Sequence, residues 1–146
     1  MIANEREYRI TRAWLEKFSS RAVEEAQGLG SEDDSDPRMR QLYKDAYESQ
    51  AEELRGQLAE YEALQSGQVS VLELDSLAAL PEALIRARIA ARLTQKQLAE
   101  RLGLKEQQVQ RYEATRYSGV TLERLQAVVD ALGVQVREQV ILPVAG

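Results

Sequence analysis

From Thr94 to Glu113 the chain sets out Gln95, Lys96, Lys105, Glu106, Gln107, Gln110 and Arg111, with Arg116 close behind. Side chains of these types hydrogen-bond and attract; they do not break covalent bonds. A guanidinium matches guanine O6 and N7, a carboxamide matches adenine N6 and N7, and a lysine or arginine matches a phosphate oxygen. Covalent chemistry has little to build on, because the chain contains no His and no Cys. Histidine- and cysteine-based triads, thiolate and imidazole metal sites, disulfides and redox pairs are therefore excluded. Carboxylates are plentiful, yet Glu48, Glu52 and Glu53 fall at helical spacing as a solvated stripe, and no glycine-rich loop cradles a phosphate. The expectation is a binding protein and not an enzyme, with no catalytic residue, metal or cofactor.

The elements that must position these residues are legible in the same stretch. Thr94 and Gln97 form a T-x-x-Q capping box that opens a helix running through Leu102. Gly103 supplies a left-handed turn, and a second helix follows from about Glu106 to Ala114. Ala99 is small enough for the second helix to cross over it, while Leu98, Leu102, Leu104, Val109 and Tyr112 point inward and set the crossing angle. This is a helix-turn-helix layout, with helix 106–114 placed to read the major groove of DNA. A helical scaffold that makes only protein contacts is the alternative. It accounts for Leu98, Leu102 and Val109 as core but not for the joint fit of small residue, turn glycine and inward positions.

Overall charge is misleading. The formal net charge is -5, but residues 1 to 79 carry nine basic and 17 acidic residues, whereas 80 to 146 carry ten basic and seven acidic ones. A modestly basic C-terminal half (net +3) suits nucleic acid, and an acidic N-terminal half (net -8) suits a different partner. The division read from the sequence is a helical hairpin over 1–67 for dimerisation or partner binding, a linker over 68–79, and a DNA-binding domain over 80–146. The hairpin comprises one helix from about Glu5 to Gln27 with Ile10, Trp14, Leu15, Phe18, Ala22, Val23 and Ala26 at helical spacing. The other runs from Pro37, behind an Asp36 N-cap, to about Ser66, with Met39, Leu42, Tyr43, Ala46, Tyr47, Ala51, Leu54, Leu58, Tyr61 and Leu64 on one face. Neither stripe can be buried alone, so the helices fold back on each other or pair with those of a second chain. Their acidic connection, Gly28 to Asp36, lacks the glycine and ligand spacing of a calcium loop and reads as a solvated linker. Short strands are expected at 69–74 and 134–142, where β-branched residues partly alternate. No apolar run approaches the ~20 residues of a membrane span, and the start lacks a signal peptide's apolar core, so a cytoplasmic location is expected.

Leu93-Thr94-Gln95-x-x-Leu98-Ala99-x-x-Leu102-Gly103, Val109-x-x-Tyr112-Glu113 and Thr121-Leu122-Glu123-x-Leu125-x-x-Val128-x-x-Ala131-Leu132-Gly133-Val134 together resemble the phage-repressor-like, or XRE-type, helix-turn-helix family. The resemblance covers about Leu80 to Val134. It implies a mainly α, five-helix domain that binds double-stranded operator DNA as a homodimer, with recognition helices about 34 Å apart. It also implies roles: Gln95 on a phosphate, Lys105, Glu106, Gln107 and Arg111 toward base edges, Gln108 and Gln110 as neighbours that position the helix, and Arg116 on the backbone beyond it. Glu106 reads equally well as a first-turn acid. Lys105 replaces the hydroxyl residue common at that cap. Arg88 and Glu113 match a partly buried ion pair of the family, which with Ala99, Gly103 and Val109 supports the motif. The start Asn4-Glu5-Arg6-x-Tyr8-x-Ile10-Thr11 is similar to an extension on some HigA-type antitoxin-like regulators, which implies a repressor role and a cognate toxin as a further partner.

Overall fold

The computed structural model describes residues 1–28 and 36–145. They form α1 (Glu5–Ala26), α2 (Pro37–Gln65), α3 (Leu80–Ala90), α4 (Gln95–Leu102), α5 (Glu106–Ala114) and α6 (Leu122–Leu132), with a single 3-10 turn at Leu77–Ala79. The chain divides into two compact units, Met1–Val71 and Leu72–Gly146. Of the acidic connection between α1 and α2, residues 29–35 lie outside the described residues, and with them most of the loop weighed for calcium.

In the first unit α1 and α2 run antiparallel. The helices start where their caps dictate: the Asn4 side chain accepts from the Glu7 N–H at 2.9 Å, and Asp36 accepts from the Arg38 N–H at 2.9 Å with Pro37 behind it. Tyr8 stacks on Tyr61 with centroids 5.1 Å apart, and Phe18 lies 6.2 Å from Tyr47. The inner seam alternates steps of three and four: Tyr8, Thr11, Leu15, Phe18 and Ala22 on α1 meet Tyr47, Ala51, Leu54, Leu58 and Tyr61 on α2, all buried or half-buried. One partner helix covers only one such seam. Ile10, Trp14, Val23, Met39, Leu42 and Tyr43, read from the sequence as part of the buried stripes, are therefore exposed.

In the second unit Ile85 of α3, Leu98 of α4, Val109 of α5 and Val128 of α6 are fully buried and form a common core. Burying each such side chain contributes roughly 1.5–3 kcal/mol. The α4–α5 turn is a Schellman motif: Gly103 has φ 69°, the Leu104 N–H donates to the Ala99 carbonyl at 2.8 Å, and the Gly103 N–H donates to that of Glu100 at 3.2 Å. Thr94 and Gln97 complete their capping box, with the Gln97 N–H on the Thr94 hydroxyl at 3.0 Å and the Thr94 N–H on the Gln97 side chain at 2.9 Å.

Two expectations are corrected. Neither 69–74 nor 134–142 is a strand, and the described residues contain none. An alternating pattern makes a strand only when another backbone supplies its ladder, and both segments run without a paired neighbour, with Val71, Val140, Ile141 and Leu142 exposed. The five helices implied for the domain are present as the 3-10 turn and four α-helices, with the closing helix expected at 121–134 found as α6. Gly133 ends α6 at φ 69°, and the β-branched residues Val134, Val136, Val140 and Ile141 ahead of Pro143 favour extended backbone.

Two glycines with open space around their Cβ positions should respond in opposite directions. Gly103→Ala forces a left-handed alanine and is expected to cost about 1–2 kcal/mol. Gly56→Ala, inside α2 and away from any contact, is expected to add about 0.5–1 kcal/mol to the hairpin. Thermal unfolding followed by circular dichroism checks both signs.

Candidate nucleic-acid interface

The outward surface of α5 depends on what holds its inward surface. Val109 is wholly buried and Glu113, one turn on, is 2% exposed. A carboxylate this deep needs a partner, and Arg88 of α3 supplies one in fork geometry: its Nε donates to Glu113 Oε2 at 2.6 Å and its Nη2 to Oε1 at 2.8 Å. Arg88 Nη1 donates to the Leu93 carbonyl at 2.8 Å, and Gln95 Nε2, at the start of α4, donates to Glu113 Oε1 at 3.0 Å. One carboxylate thereby joins α3, the entry to α4 and the last turn of α5.

Gln95 is placed differently from the other polar residues singled out in the sequence. It is buried, with one amide hydrogen committed to Glu113, and nothing in the local spacing signals that bond; it needs the three-dimensional meeting of residues 18 positions apart. Lys96, Lys105, Glu106, Gln107, Gln110, Arg111 and Arg116 are all exposed. Gln107 and Arg111, one turn apart, form the stripe of α5 that points away from Val109 and Glu113. Ala99 and Val109 are buried against the turn at Gly103, while Tyr112 is half-buried.

The start of α5 is settled by Gln108. Lys105 is the N-cap residue and offers no side-chain acceptor; instead Gln108 Oε1 accepts the Lys105 N–H at 3.0 Å, the return half of a capping box. Glu106 lies in the first turn, where the helix dipole favours an acid, and accepts from Gln110 Nε2 at 3.3 Å.

Past α5 the backbone turns sharply through two successive left-handed residues, Arg116 (φ 52°) and Tyr117 (φ 56°). Each costs roughly 1–2 kcal/mol for a side chain that is not glycine. Burial of Tyr117, its stacking on Tyr112 at 5.6 Å, and its N–H on the Tyr112 carbonyl at 2.7 Å offset that strain. Burial also pushes the Tyr117 hydroxyl pKa well above its ordinary 10.0, with the Glu113 charge acting in the same direction. Arg116 is thus displayed at a fixed corner. Its Nη1 donates to the Glu113 carbonyl at 3.1 Å and its Nε lies 3.8 Å from Glu82. At half exposure the latter pair is weak and leaves the guanidinium accessible to another anion. At the far end of α4, Arg101 Nη1 donates to the Ala131 carbonyl at 2.9 Å, tying α4 to the C-terminus of α6, a contact that the sequence pattern gave no reason to expect.

Among the described residues no cluster of His, Cys, Asp and Glu could hold a metal ion, and no helix is long and apolar enough to cross a membrane.

Removing one partner of the Arg88–Glu113 pair strands a buried charge. Glu113→Ala is expected to cost about 3–5 kcal/mol, and Arg88→Met with Glu113→Leu together less than the sum of the single changes. Denaturant unfolding followed by circular dichroism reads this; a single-variant cost below about 1 kcal/mol would contradict the assigned burial.

Comparison with known proteins agrees with this geometry. A helix-turn-helix family model matches residues 84–139, a span that takes in most of α3, all of α4 to α6 and the segment just beyond. No curated protein and no solved structure matches the chain. The match supports the resemblance of this span to the phage-repressor-like, XRE-type helix-turn-helix proteins.

Proposed function

We propose that the protein is a sequence-specific transcriptional regulator, acting as a repressor by occupying its operator, and that α5 reads base edges in the major groove. The observation that carries the reading is the outward stripe of Gln107 and Arg111, exposed on a helix whose other side is locked by Val109 and Glu113. Arg111 suits guanine, and Gln107 suits adenine. Glu106 and Gln110 flank that stripe. Lys96, Lys105 and Arg116 surround it with cations for phosphates, which fix register without reading sequence. Gln95 retains a second amide hydrogen beside the N-terminus of α4, a position suited to a phosphate oxygen. Two copies would read two half-sites of a near-palindrome about one helical turn apart. Such a regulator works in the cytoplasm, beside the chromosome.

A second reading concerns the acidic half. Residues 1 to 79 carry a net charge of -8, and a small basic protein is the partner that complements them. A toxin neutralised by this chain, in the manner of an antitoxin and autorepressor, fits that chemistry. Co-purification with a basic protein encoded beside it is the expected sign.

Mobility shift against a selected site tests the principal reading. Arg111→Ala with Gln107→Ala is expected to weaken specific binding by about 100-fold or more, since each base contact is worth roughly 1–3 kcal/mol. The melting temperature should not change, because both side chains are exposed. Binding that shows no site preference, or that does not weaken as salt rises, would contradict it and favour a scaffold.

A further inference from the structure

The four α-helices of the second unit end on the same backbone demand, a residue at positive φ, and the chain meets it in two ways. Gly103 and Gly133 close α4 and α6 at φ 69° each, where glycine bears no strain. Arg92 closes α3 at φ 58° and Arg116 closes α5 at φ 52°, where a side chain is strained. Attraction to the helix dipole does not account for Arg92. The exposed C-cap residue Ala91 stands one place earlier at φ -75°, and an arginine there would meet the same carbonyls without strain; Arg88 already supplies a cation to the last turn. Strained residues of this kind cluster where a ligand is held, kept in place by the structure around them.

The surroundings of Arg92 are firm. Its N–H donates to the Ile89 carbonyl at 3.0 Å, and its neighbour Leu93 is bound twice by Arg88: the Leu93 N–H donates to the Arg88 carbonyl at 3.1 Å, and the Leu93 carbonyl accepts from Arg88 Nη1 at 2.8 Å. Arg88 in turn forks onto Glu113 of α5. The exposed Arg92 is thus fixed, through one side chain, to the carboxylate that sets the reading stripe. Charge around it favours an anion. Between Glu82 and Glu100 the chain holds Arg86, Arg88, Arg92 and Lys96 and no carboxylate.

We infer that Arg92 is a contact to the DNA backbone, paired with Arg116 across the groove that α5 enters. Along α3 the order is Glu82, Arg88, Arg92. Arg116 lies beside Glu82, with its Nε 3.8 Å away, and Arg88 holds the last turn of α5. Arg92 comes ten residues after Glu82, about 15 Å farther along at the helical rise. The major groove is about 12 Å wide, so two arginines at that separation reach phosphates on its opposite rims while the helix held between them enters it. Fixed corners suit this use, because an arginine on a locked turn has less freedom to lose on binding than one on a flexible arm. The inference rests on the regulator reading and adds to it a residue that the base-reading pattern does not single out.

The test titrates the full chain against a selected site and against a random-sequence duplex of equal length, from about 50 to 200 mM salt. Arg92→Gly is expected to weaken binding by about 5- to 10-fold on both duplexes alike and to flatten the slope of log affinity against log salt by about one, since a phosphate contact carries no sequence information. Its melting temperature should hold or rise, by up to about 5 °C, because glycine relieves the strain. Arg92→Lys keeps the charge and should restore the slope. A merely structural Arg92 would give the opposite pair of results, a lower melting temperature with an unchanged slope. Wild-type affinity and slope in Arg92→Gly, a fall in its melting temperature, or a loss confined to the selected site would each overturn the inference. Wild-type protein that binds both duplexes equally counts against the regulator reading alone, because a backbone contact needs no site preference; wild-type protein that binds neither overturns both.

Discussion

The Glu113 carboxylate, buried and forked onto Arg88, is the interaction on which the C-terminal unit depends. Apolar contacts alone would let α5 roll or slide against α4, because Leu98 and Val109 make non-directional contacts. Two short charge-assisted hydrogen bonds, a third from Gln95, and the Arg88 bond to the Leu93 carbonyl are directional, and they permit one rotation of α5 about its axis. That rotation decides which residues face outward. The same carboxylate that could not be left unpaired in the core therefore determines that Gln107 and Arg111 occupy the outer stripe.

The two units meet opposite physical problems. In the C-terminal one, short helices are made definite by their ends: a completed capping box on α4, a return hydrogen bond on α5, and left-handed residues closing α3, α4, α5 and α6. Two of those closing residues, Arg92 and Arg116, carry side chains where glycine is easier, so the turns keep cations at some cost in strain. The N-terminal unit has long helices with ample propensity and little interior. Its aromatic contacts join the helices, its ion pairs lie on one flank, and its remaining apolar seam faces solvent.

Much of this was legible because it is local. Pro37 behind Asp36, Thr94 with Gln97, and Gly103 at a left-handed turn are each read within a few residues, and the structure places each as expected. The inward set of the helix-turn-helix follows from spacing, and the Arg88–Glu113 pair from resemblance to a family. What could not be read depends on partners distant in sequence. Residues 69–74 and 134–142 alternate like strands, but nothing local says whether another backbone will pair with them. Ile10 and Trp14 have the periodicity of buried residues, yet only the number of neighbouring helices decides whether they are covered. Gln95 looks like a surface amide at a helix start and turns instead to Glu113.

The central claim is that α5, held by Glu113, reads sequence from a paired protein. Selection of bound fragments from a random DNA pool tests it most directly. The account predicts enrichment of two inverted half-sites whose centres lie about 10 base pairs apart, each containing a guanine for Arg111 and an adenine for Gln107. A pool that stays random after repeated rounds, or one enriched for a motif that Arg111→Ala binds unchanged, would contradict it.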